Sequence, residues 1–541
     1  MLQNFEDHPK TAANFVALSP ISFLKRAALV YGARPALTTG HESRTWAEVS
    51  QRSRAFSAAL QAMDIGLGDT VAVLLPNSAA LFEAHFSVPL AGAVLNTINT
   101  RLEAETIAYI LVHSDAKLLI TDHSFAKLLK TAFDICPKIP VIAVSASGVP
   151  LPEFAQYDYE TMVSGQAAPD YVLPQDEWQA LALNYTSGTS GRPKGVIYHH
   201  RGAYLMAMST IAAWSLPQNP TYLAVVPMFH CNGWNHPWAM AILGGHMIFS
   251  PDYAPETLLD LMETKAVTHF GAAPIVLQMI AECDAAKARH FSPPIQVMTA
   301  GAPPPPSVLE RARALGFQVM QVYGLTETYG HIAQCLWNEN WGDLPPAELA
   351  KKQAMQGVPF PMVEEIALID RETKIHAPKD GKTIGEIAIR SNTVMKGYYK
   401  DKEATALAFE DGWFWSGDAA VQQDDGYLQI KDRLKDVIIS GGENISSVEV
   451  EAVLHRHPAV GVASVVARHD AKWGEVPCAF VELRAGQTLT EDALIRFCRD
   501  HLAGFKVPKS VIFEPIPKTA TGKIQKFQLR ERVKQIFTPN V

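Results

Sequence analysis

From about residue 46 to residue 330 the chain repeats one pattern: a short β-branched or leucine-rich run, then a longer segment with helical spacing. The runs fall at 71–75, 117–120, 222–226, 246–249, 295–298 and 317–320. Apolar runs this short, separated by helix-length segments, specify βαβ units and mostly parallel sheets. Ligand loops in such sheets gather beyond the carboxyl ends of the strands. The chemically unusual segments sit there: Asn77-Ser78, Pro227-Met-Phe-His-Cys-Asn-Gly-Trp234, Gly301-Ala-Pro-Pro-Pro-Pro306 and Tyr323-Gly-Leu-Thr-Glu327. Between about 357 and 430 the pattern changes to strands separated by turn residues. A strand at 386–389 and a hairpin signal at Asp424-Asp-Gly426 predict a small β-rich subdomain there. After Lys435 a fresh unit begins, with a strand at 437–439, a loop over 441–444 and a helix opened by the capping box Ser446-x-x-Glu449.

At 541 residues the chain exceeds what one core can organise, and its length points to several folding units of roughly 150 residues each. Hydrophobic residues at 48% and charged residues at 19% exclude a wholly disordered chain and supply several cores. The net charge of −8, with no lysine or arginine run, argues against nucleic acid or anionic lipid as a partner. The six cysteines contain no C-x-x-C pair, so neither a disulfide framework nor a zinc site is expected, and a reducing cytoplasm fits best. The amino terminus lacks the basic start and apolar core of a secretory signal. No stretch reaches the ~18 uninterrupted apolar residues of a membrane helix.

The segment richest in chemistry is Tyr185-Thr-Ser-Gly-Thr-Ser-Gly-Arg-Pro-Lys-Gly195. Its glycines and hydroxyls can wrap donors around phosphates, and Lys194 adds charge. It is not a Walker loop, because Pro193 and Gly195 stand where that loop needs glycine and a hydroxyl residue. It is not a nucleophile elbow either, since Gly188-Thr-Ser190-Gly-Arg192 lacks the final glycine. A flexible linker is the bland alternative. No G-x-G-x-x-G follows a strand, which excludes a dehydrogenase.

This loop, with Tyr323-Gly-Leu-Thr-Glu-Thr328, Trp415-Ser-Gly-Asp418, Lys431-Asp-Arg-Leu-Lys435 and Pro517-Lys-Thr-Ala-Thr-Gly-Lys523 in that order, resembles the adenylate-forming (AMP-binding) superfamily. The segment Ser440-Gly-Gly-Glu-Asn-Ile-Ser-Ser447 is similar to its acyl-CoA synthetases. The resemblance implies an α/β fold with a large N-terminal domain, residues 1–433. That domain would combine two mostly parallel α/β subdomains (about 46–330) with the β-rich subdomain (about 357–430). A small mobile α+β C-terminal domain would span 434–541, with a hinge near Lys435. It implies an ATP-dependent ligase that uses Mg²⁺ and CoA, acts on a small-molecule carboxylic acid, and is compatible with a homodimer.

The proposed reaction requires an acid oxygen to attack the α-phosphorus of ATP, a task of positioning and charge neutralisation. Glu327 is the carboxylate best suited to Mg²⁺, which takes few protein ligands, and Thr186 joins it as a candidate metal ligand. Thr326 can donate a hydroxyl to the α-phosphate. Tyr323 offers an aromatic face to adenine, or simply packs in the core. Asp418 suits the ribose hydroxyls, or caps a turn. The resemblance adds Thr186, Ser187, Gly188, Thr189 and Lys194 around the phosphates, and Gly301, Ala302 and Pro303 along the nucleotide. It gives Arg433 to ribose or phosphate, and Gly441, Gly442 and Glu443 to the CoA step. Lys523 matches the lysine whose mobile ammonium meets the charge developing during adenylation.

For the acyl group the informative residues are His230, Trp234, Gly301, Gly330 and His331. Trp234 resembles the aromatic that gates the acyl tunnel of fatty-acyl-CoA synthetases; as a residue it also reads as core. His230 can contact the substrate carboxylate or be structural, and a His230/Cys231 metal site is discounted because adjacent side chains diverge. The pattern Tyr329-Gly-His-Ile-Ala is similar to short- and medium-chain acyl-CoA ligases, including those for 3-methylmercaptopropionate. Alternatives are a ligase for aryl or longer fatty acids, and a nucleotide-binding protein that has lost catalysis.

Overall fold

A computed structural model describes residues 7–145, 150–186, 192–301, 304, 306–441, 443–518 and 524–537. The chain divides into two compact units. The first holds the described residues up to Glu365 other than Arg192 and Pro193, together with Arg390–Leu407, and the second holds Arg192, Pro193, Ile366–Ile389 and the described chain from Ala408 onward. The boundary expected at 433/434 therefore falls inside the second unit.

The first unit contains two large sheets. In one, Phe317–Tyr323, Ile295–Thr299, His269–Ala272, Thr221–Leu223, His246–Phe249 and Pro35–Thr39 lie side by side in parallel. Short antiparallel strands close its edges at Ala333–Gln334 and Val358–Pro359 on one side and Glu42–Thr45 on the other. In the other, Tyr157–Asp158, Val141–Val144, Ala116–Asp122, Thr70–Leu74, Val94–Thr97 and Ala180–Tyr185 run parallel. Gly195–His199 and Gly397–Tyr398 then add antiparallel strands. Strands this apolar must be covered on both faces. Helices do so, packing Leu258, Met262, Leu277 and Ile280 against Phe270, Val297 and Phe317 in the first sheet, and Ile107, Leu111, Leu129 and Phe133 against Leu74 and Leu119 in the second.

Local chemistry sets the element ends. Thr45 caps the helix Trp46–Ala62 through a full capping box with Glu48, and the buried Trp46 indole donates to the Gly245 carbonyl at 3.1 Å. The run expected over 222–226 stops as a strand at Leu223, because the Asn77 amide takes the carbonyls of Ala224 and Val226 at 2.8 and 2.9 Å.

The second unit begins with a four-stranded antiparallel sheet, and Phe414–Gln422 and Leu428–Arg433 form the hairpin signalled by Asp424-Asp-Gly426. Its C-terminal part packs Ser447–Leu454 and Glu491–Arg499 on a mostly antiparallel sheet with Ile438, Val450, Val465 and Leu494 in the core. Of the loop expected over 441–444, Glu443 and Asn444 instead lie in strand Glu443–Ile445, with Ser440 paired to Glu443. Gly441, next to Ser440, has left-handed backbone (φ 60°), which glycine adopts without strain. Ser446 caps the following helix as expected, accepting from the Glu449 amide. Among the described residues no helix is long and apolar enough to cross a membrane, and all six cysteines are free.

Gly316 tests the packing of the first unit. Its φ is 88° and a Cβ there would sit 2.2 Å from the Phe291 carbonyl oxygen. Gly316→Ala should therefore cost about 1–3 kcal/mol, read as a lowered denaturation midpoint with unchanged m-value.

Candidate active site

Three strand ends of the first unit supply the site. Ala180–Tyr185 runs out at Thr186, whose amide donates to the Lys194 carbonyl at 3.0 Å and closes the base of the glycine-rich loop. That loop joins two antiparallel strands, since Tyr185 pairs with Gly195, so no helix N-terminus follows it as in a Walker site. Phe317–Tyr323 ends in Gly324, where a Cβ would lie 2.3 Å from the Gly330 carbonyl oxygen, and the chain then winds through a single 3-10 turn, Thr326–Thr328. Ile295–Thr299 leads to Gly301, whose φ is 101° and whose missing side chain would meet no atom within 4 Å among the described residues.

Glu327 stands on that 3-10 turn. Its Oε1 accepts from the Tyr398 hydroxyl at 2.8 Å, and its carbonyl accepts from the Met395 amide at 2.7 Å. The Lys194 ammonium lies 4.9 Å from the centre of the Tyr398 ring and 3.7 Å from Asp401 Oδ2. One tyrosine thus links the lysine after the glycine-rich loop to the carboxylate of the 323–328 motif. Thr326 is held from both sides: its carbonyl accepts from Tyr198 Oη at 2.7 Å, and its Oγ1 accepts from the Cys231 thiol at 3.8 Å. Cys231 is in turn 3.8 Å from His230 Nε2, and His230 is exposed. Burial pushes the Cys231 thiol up, but His230 and the hydrogen bonds with His230, Tyr198 and Thr326 outweigh it, so the net shift is downward.

Behind this lies a feature no sequence pattern announced. Cys231, Asn232, Gly233, Trp234 and Asn235 all have left-handed backbone, with φ of 46°, 51°, 63°, 56° and 62°. For non-glycine residues this costs roughly 1–2 kcal/mol each, less for asparagine, so the surroundings must impose it. They do so through buried amides. Asn232 Oδ1 accepts from Asn184 Nδ2 at 2.9 Å and Asn235 Nδ2 donates to the Tyr329 carbonyl at 2.6 Å; ahead of the run, Met228 N donates to Oδ1 of the half-buried Asn77 at 2.7 Å. The turn aims Trp234 at glycines: a Cβ on Gly271 would lie 3.0 Å from the indole and one on Gly330 3.6 Å from it. His331 meets the indole edge-on at 4.8 Å and stacks on Phe360. Burial drives the His331 imidazole down to about 3 and that of His236 to about 4, so both are neutral near pH 7.

In the second unit, Asp418 is buried and its Oδ1 is 2.8 Å from Arg433 Nε, the two lying opposite each other in the hairpin. Asp432 accepts from the Ser447 amide at 2.6 Å. Lys435 sits on the 3-10 turn Leu434–Asp436, Gly441 donates to the Trp473 carbonyl at 2.8 Å, and Glu443 begins a strand. Thr186, Lys194, His230, Trp234, Tyr323, Thr326, Glu327, Gly330 and His331 belong to the first unit, and Asp418, Arg433, Lys435, Gly441 and Glu443 to the second. Ser187, Gly188, Thr189, Ala302, Pro303, Gly442 and Lys523 lie outside the described residues. Sequence reasoning missed Tyr398, Tyr198, Asn184 and Asn235. Only Asn235, beside the quoted His230–Trp234 segment, carried a signal, being a residue type that tolerates left-handed backbone.

Glu327 and the hydroxyl of Thr186 are hard oxygen donors of the kind Mg²⁺ takes. Among the described residues no cluster of three or more His, Cys, Asp or Glu could cage a metal by itself. The residues thus suit an ion that keeps water and phosphate oxygens in its shell.

The chain matches the family described as AMP-binding enzyme over residues 24–399, and the AMP-binding enzyme C-terminal domain over 449–523. It is 46% identical to an acetate–CoA ligase of Humulus lupulus, with 99% of this chain and 98% of that protein covered. It is 45% identical to a peroxisomal acetate/butyrate–CoA ligase of Arabidopsis thaliana, covering 99% and 98%. Among solved structures it resembles o-succinylbenzoate CoA synthetase of Bacillus subtilis in complex with its acyl-adenylate, with a TM-score of 0.81, 28% identity, and 94% and 97% of the two chains covered. With the fold, the motif order and full-length relatives in agreement, the chain belongs to the AMP-binding enzyme family, as an acyl-CoA ligase.

Proposed function

We propose that this ligase activates a short or medium-chain carboxylic acid, from acetate and butyrate to 3-methylmercaptopropionate, with ATP and CoA. The observation that carries the size limit is the Trp234 indole, set by the left-handed turn against Gly271, Gly330 and His331. A bulky wall beside neutral imidazoles bounds an apolar pocket of limited depth and leaves no charge facing an alkyl or thioether chain. The relatives named for acetate, butyrate and 2-methylpropanoate agree with that limit. A trans-cinnamate–CoA ligase of Petunia hybrida, 40% identical, keeps an aryl acid as the second reading. A cytoplasmic setting fits the free thiols, and a homodimer belongs to the same reading, measurable by sedimentation.

In the first step a carboxylate oxygen attacks the α-phosphorus, an O–P bond forms, the α–β bridging bond breaks and pyrophosphate leaves. Glu327, with Thr186, would hold Mg²⁺, which when bound neutralises phosphate charge. Tyr398 orients Glu327, Lys194 and the residues of the glycine-rich loop take the outer phosphates, and Thr326 addresses the α-phosphate. Asp418 and Arg433 serve the ribose, Tyr323 and the 301–303 segment the base. Lys523 supplies positive charge to the oxygens around phosphorus. In the second step the CoA sulfur attacks the acyl carbon, the thiol proton leaves to solvent, and AMP departs. Gly441, Gly442 and Glu443 serve this step after the domain carrying them turns near Lys435. Lys523 and that loop lie in one C-terminal segment and act in succession, so pyrophosphate–ATP exchange with acid but without CoA tests the reading. Its complete absence from active enzyme overturns it.

Trp234→Ala should shift preference toward longer acids and weaken short ones, by ~0.8 kcal/mol for each substrate methylene that the indole no longer covers. An unchanged chain-length profile would make Trp234 a core residue. Tyr398→Phe removes the hydroxyl that steadies Glu327 and should raise the Mg²⁺ concentration for half-maximal exchange by about tenfold, the usual effect of removing a ligand's hydrogen-bond partner. Lys523→Ala should lose about 10² to 10³ in adenylation rate. Given preformed acyl-adenylate and CoA, the same preparation should form thioester at nearly the wild-type rate. Equal losses in both half-reactions would assign Lys523 to the architecture of its domain.

A further inference from the structure

We propose that Asn235 is a positioning residue that ties the acyl wall to the adenylation loop, so that fit of the acyl chain sets the rate of adenylation. The inference rests on the reading of Trp234 as the acyl wall. Asn235 is fully buried and directly follows Trp234 at the end of the left-handed run. Its Nδ2 donates to the Tyr329 carbonyl at 2.6 Å, and its Oδ1 has no partner among the described residues, so this bond defines how the amide is set.

Tyr329 is rigid. Its φ is 60°, its hydroxyl accepts from the His199 amide at 2.7 Å and donates to the His199 carbonyl at 3.2 Å, and its ring stacks on Tyr198 at 3.9 Å. Tyr198 Oη donates in turn to the Thr326 carbonyl, and the Tyr329 amide donates to that same carbonyl at 3.2 Å. A path of hydrogen bonds and one aromatic stack therefore runs from Trp234 through Asn235 and Tyr329 to Thr326, the neighbour of Glu327. Asn232, at the other end of the turn, holds Asn184 on the strand that feeds the glycine-rich loop. Because buried packing transmits displacement and does not absorb it, a chain that pushes Trp234 off its place also moves the Tyr329 carbonyl.

Two variants isolate the bond. Asn235→Asp keeps size and left-handed tolerance but faces the Tyr329 carbonyl with an acceptor. Asn235→Gly deletes the side chain at little backbone cost. Pyrophosphate–ATP exchange without CoA is measured for acetate, propionate, butyrate and hexanoate, with kcat and KM separated, alongside thermal melting. Both variants should lose about tenfold in kcat with the best acid, the rate equivalent of one buried hydrogen bond, while KM for that acid changes little. The ratio of kcat/KM between the best and worst acids should shrink by a similar factor. A lowered Tm with that ratio intact, or a uniform loss across all four acids, overturns the proposal. If Asn235→Asp does not fold, Asn235→Gly decides alone by the same ratio. Trp234→Ala separates the two layers: if it leaves the chain-length profile intact the acyl-wall reading fails, whereas if it shifts that profile and the Asn235 variants do not, only the coupling fails.

Discussion

Five consecutive left-handed residues cannot hold themselves in place, and the organisation of the first unit follows from what holds them. A right-handed turn would cost nothing in backbone strain, so the left-handed one persists because Asn184 and the Tyr329 carbonyl each bind one point of it. Those anchors come from two places, strand Ala180–Tyr185 of one sheet and the loop after strand Phe317–Tyr323 of the other. Two sheets are therefore registered against each other where their strands end. The same buried amides that stabilise an awkward backbone also fix where the Trp234 indole stands against Gly271 and Gly330.

Charge is distributed accordingly. Against the indole stands His331, an imidazole that burial keeps neutral, as it does the buried His236. Beside it, Tyr398 links the acidic side chain of Glu327 to the Lys194 ammonium, which in turn faces Asp401. An acid entering with its chain toward the indole would meet an uncharged wall at one end and ionic groups at the other, the polarity that orients a carboxylate toward a phosphate.

The legible part of this architecture was the periodic part. Parallel strands advertise themselves as short apolar runs; the runs at 246–249, 295–298 and 317–320 lie within strands, and the far ends of the last two carry motif residues. Hairpin chemistry at Asp424-Asp-Gly426 and the cap at Ser446 were equally local and equally readable. What escaped was every interaction that depends on distant chain segments. Tyr398 is 71 positions from Glu327, Asn184 is 48 from Asn232, and Asn235 is 94 from Tyr329. A tyrosine or asparagine alone carries no periodicity and fits many environments, so only the assembled fold reveals its partner. The strand expected to reach residue 226 failed for the same reason, since the amide that ends it belongs to Asn77.

In the second unit, the motion proposed near Lys435 would have to work against the contacts of its neighbours. Asp432, three residues before it, is bound by the Ser447 amide and hydroxyl, and Asp436, immediately after it, is paired with Arg530. Lys526, whose side chain is only 15% exposed, meets Ser447 and Glu451, joining the C-terminal helix to the same cluster. Ser447, Lys526 and Arg530 all lie after residue 440. A rotation at Lys435 would carry Asp436 along with Arg530 but would have to release Asp432 from Ser447, giving up charge-assisted hydrogen bonds of about 1.5–3 kcal/mol each. A rotation just before Asp432 would leave the whole cluster intact and break the pairing of Asp418 with Arg433 in the hairpin instead. Either pivot involves a carboxylate–donor pair next to a residue assigned to the ribose. Movement of this segment and release of the nucleotide would therefore draw on the same few interactions.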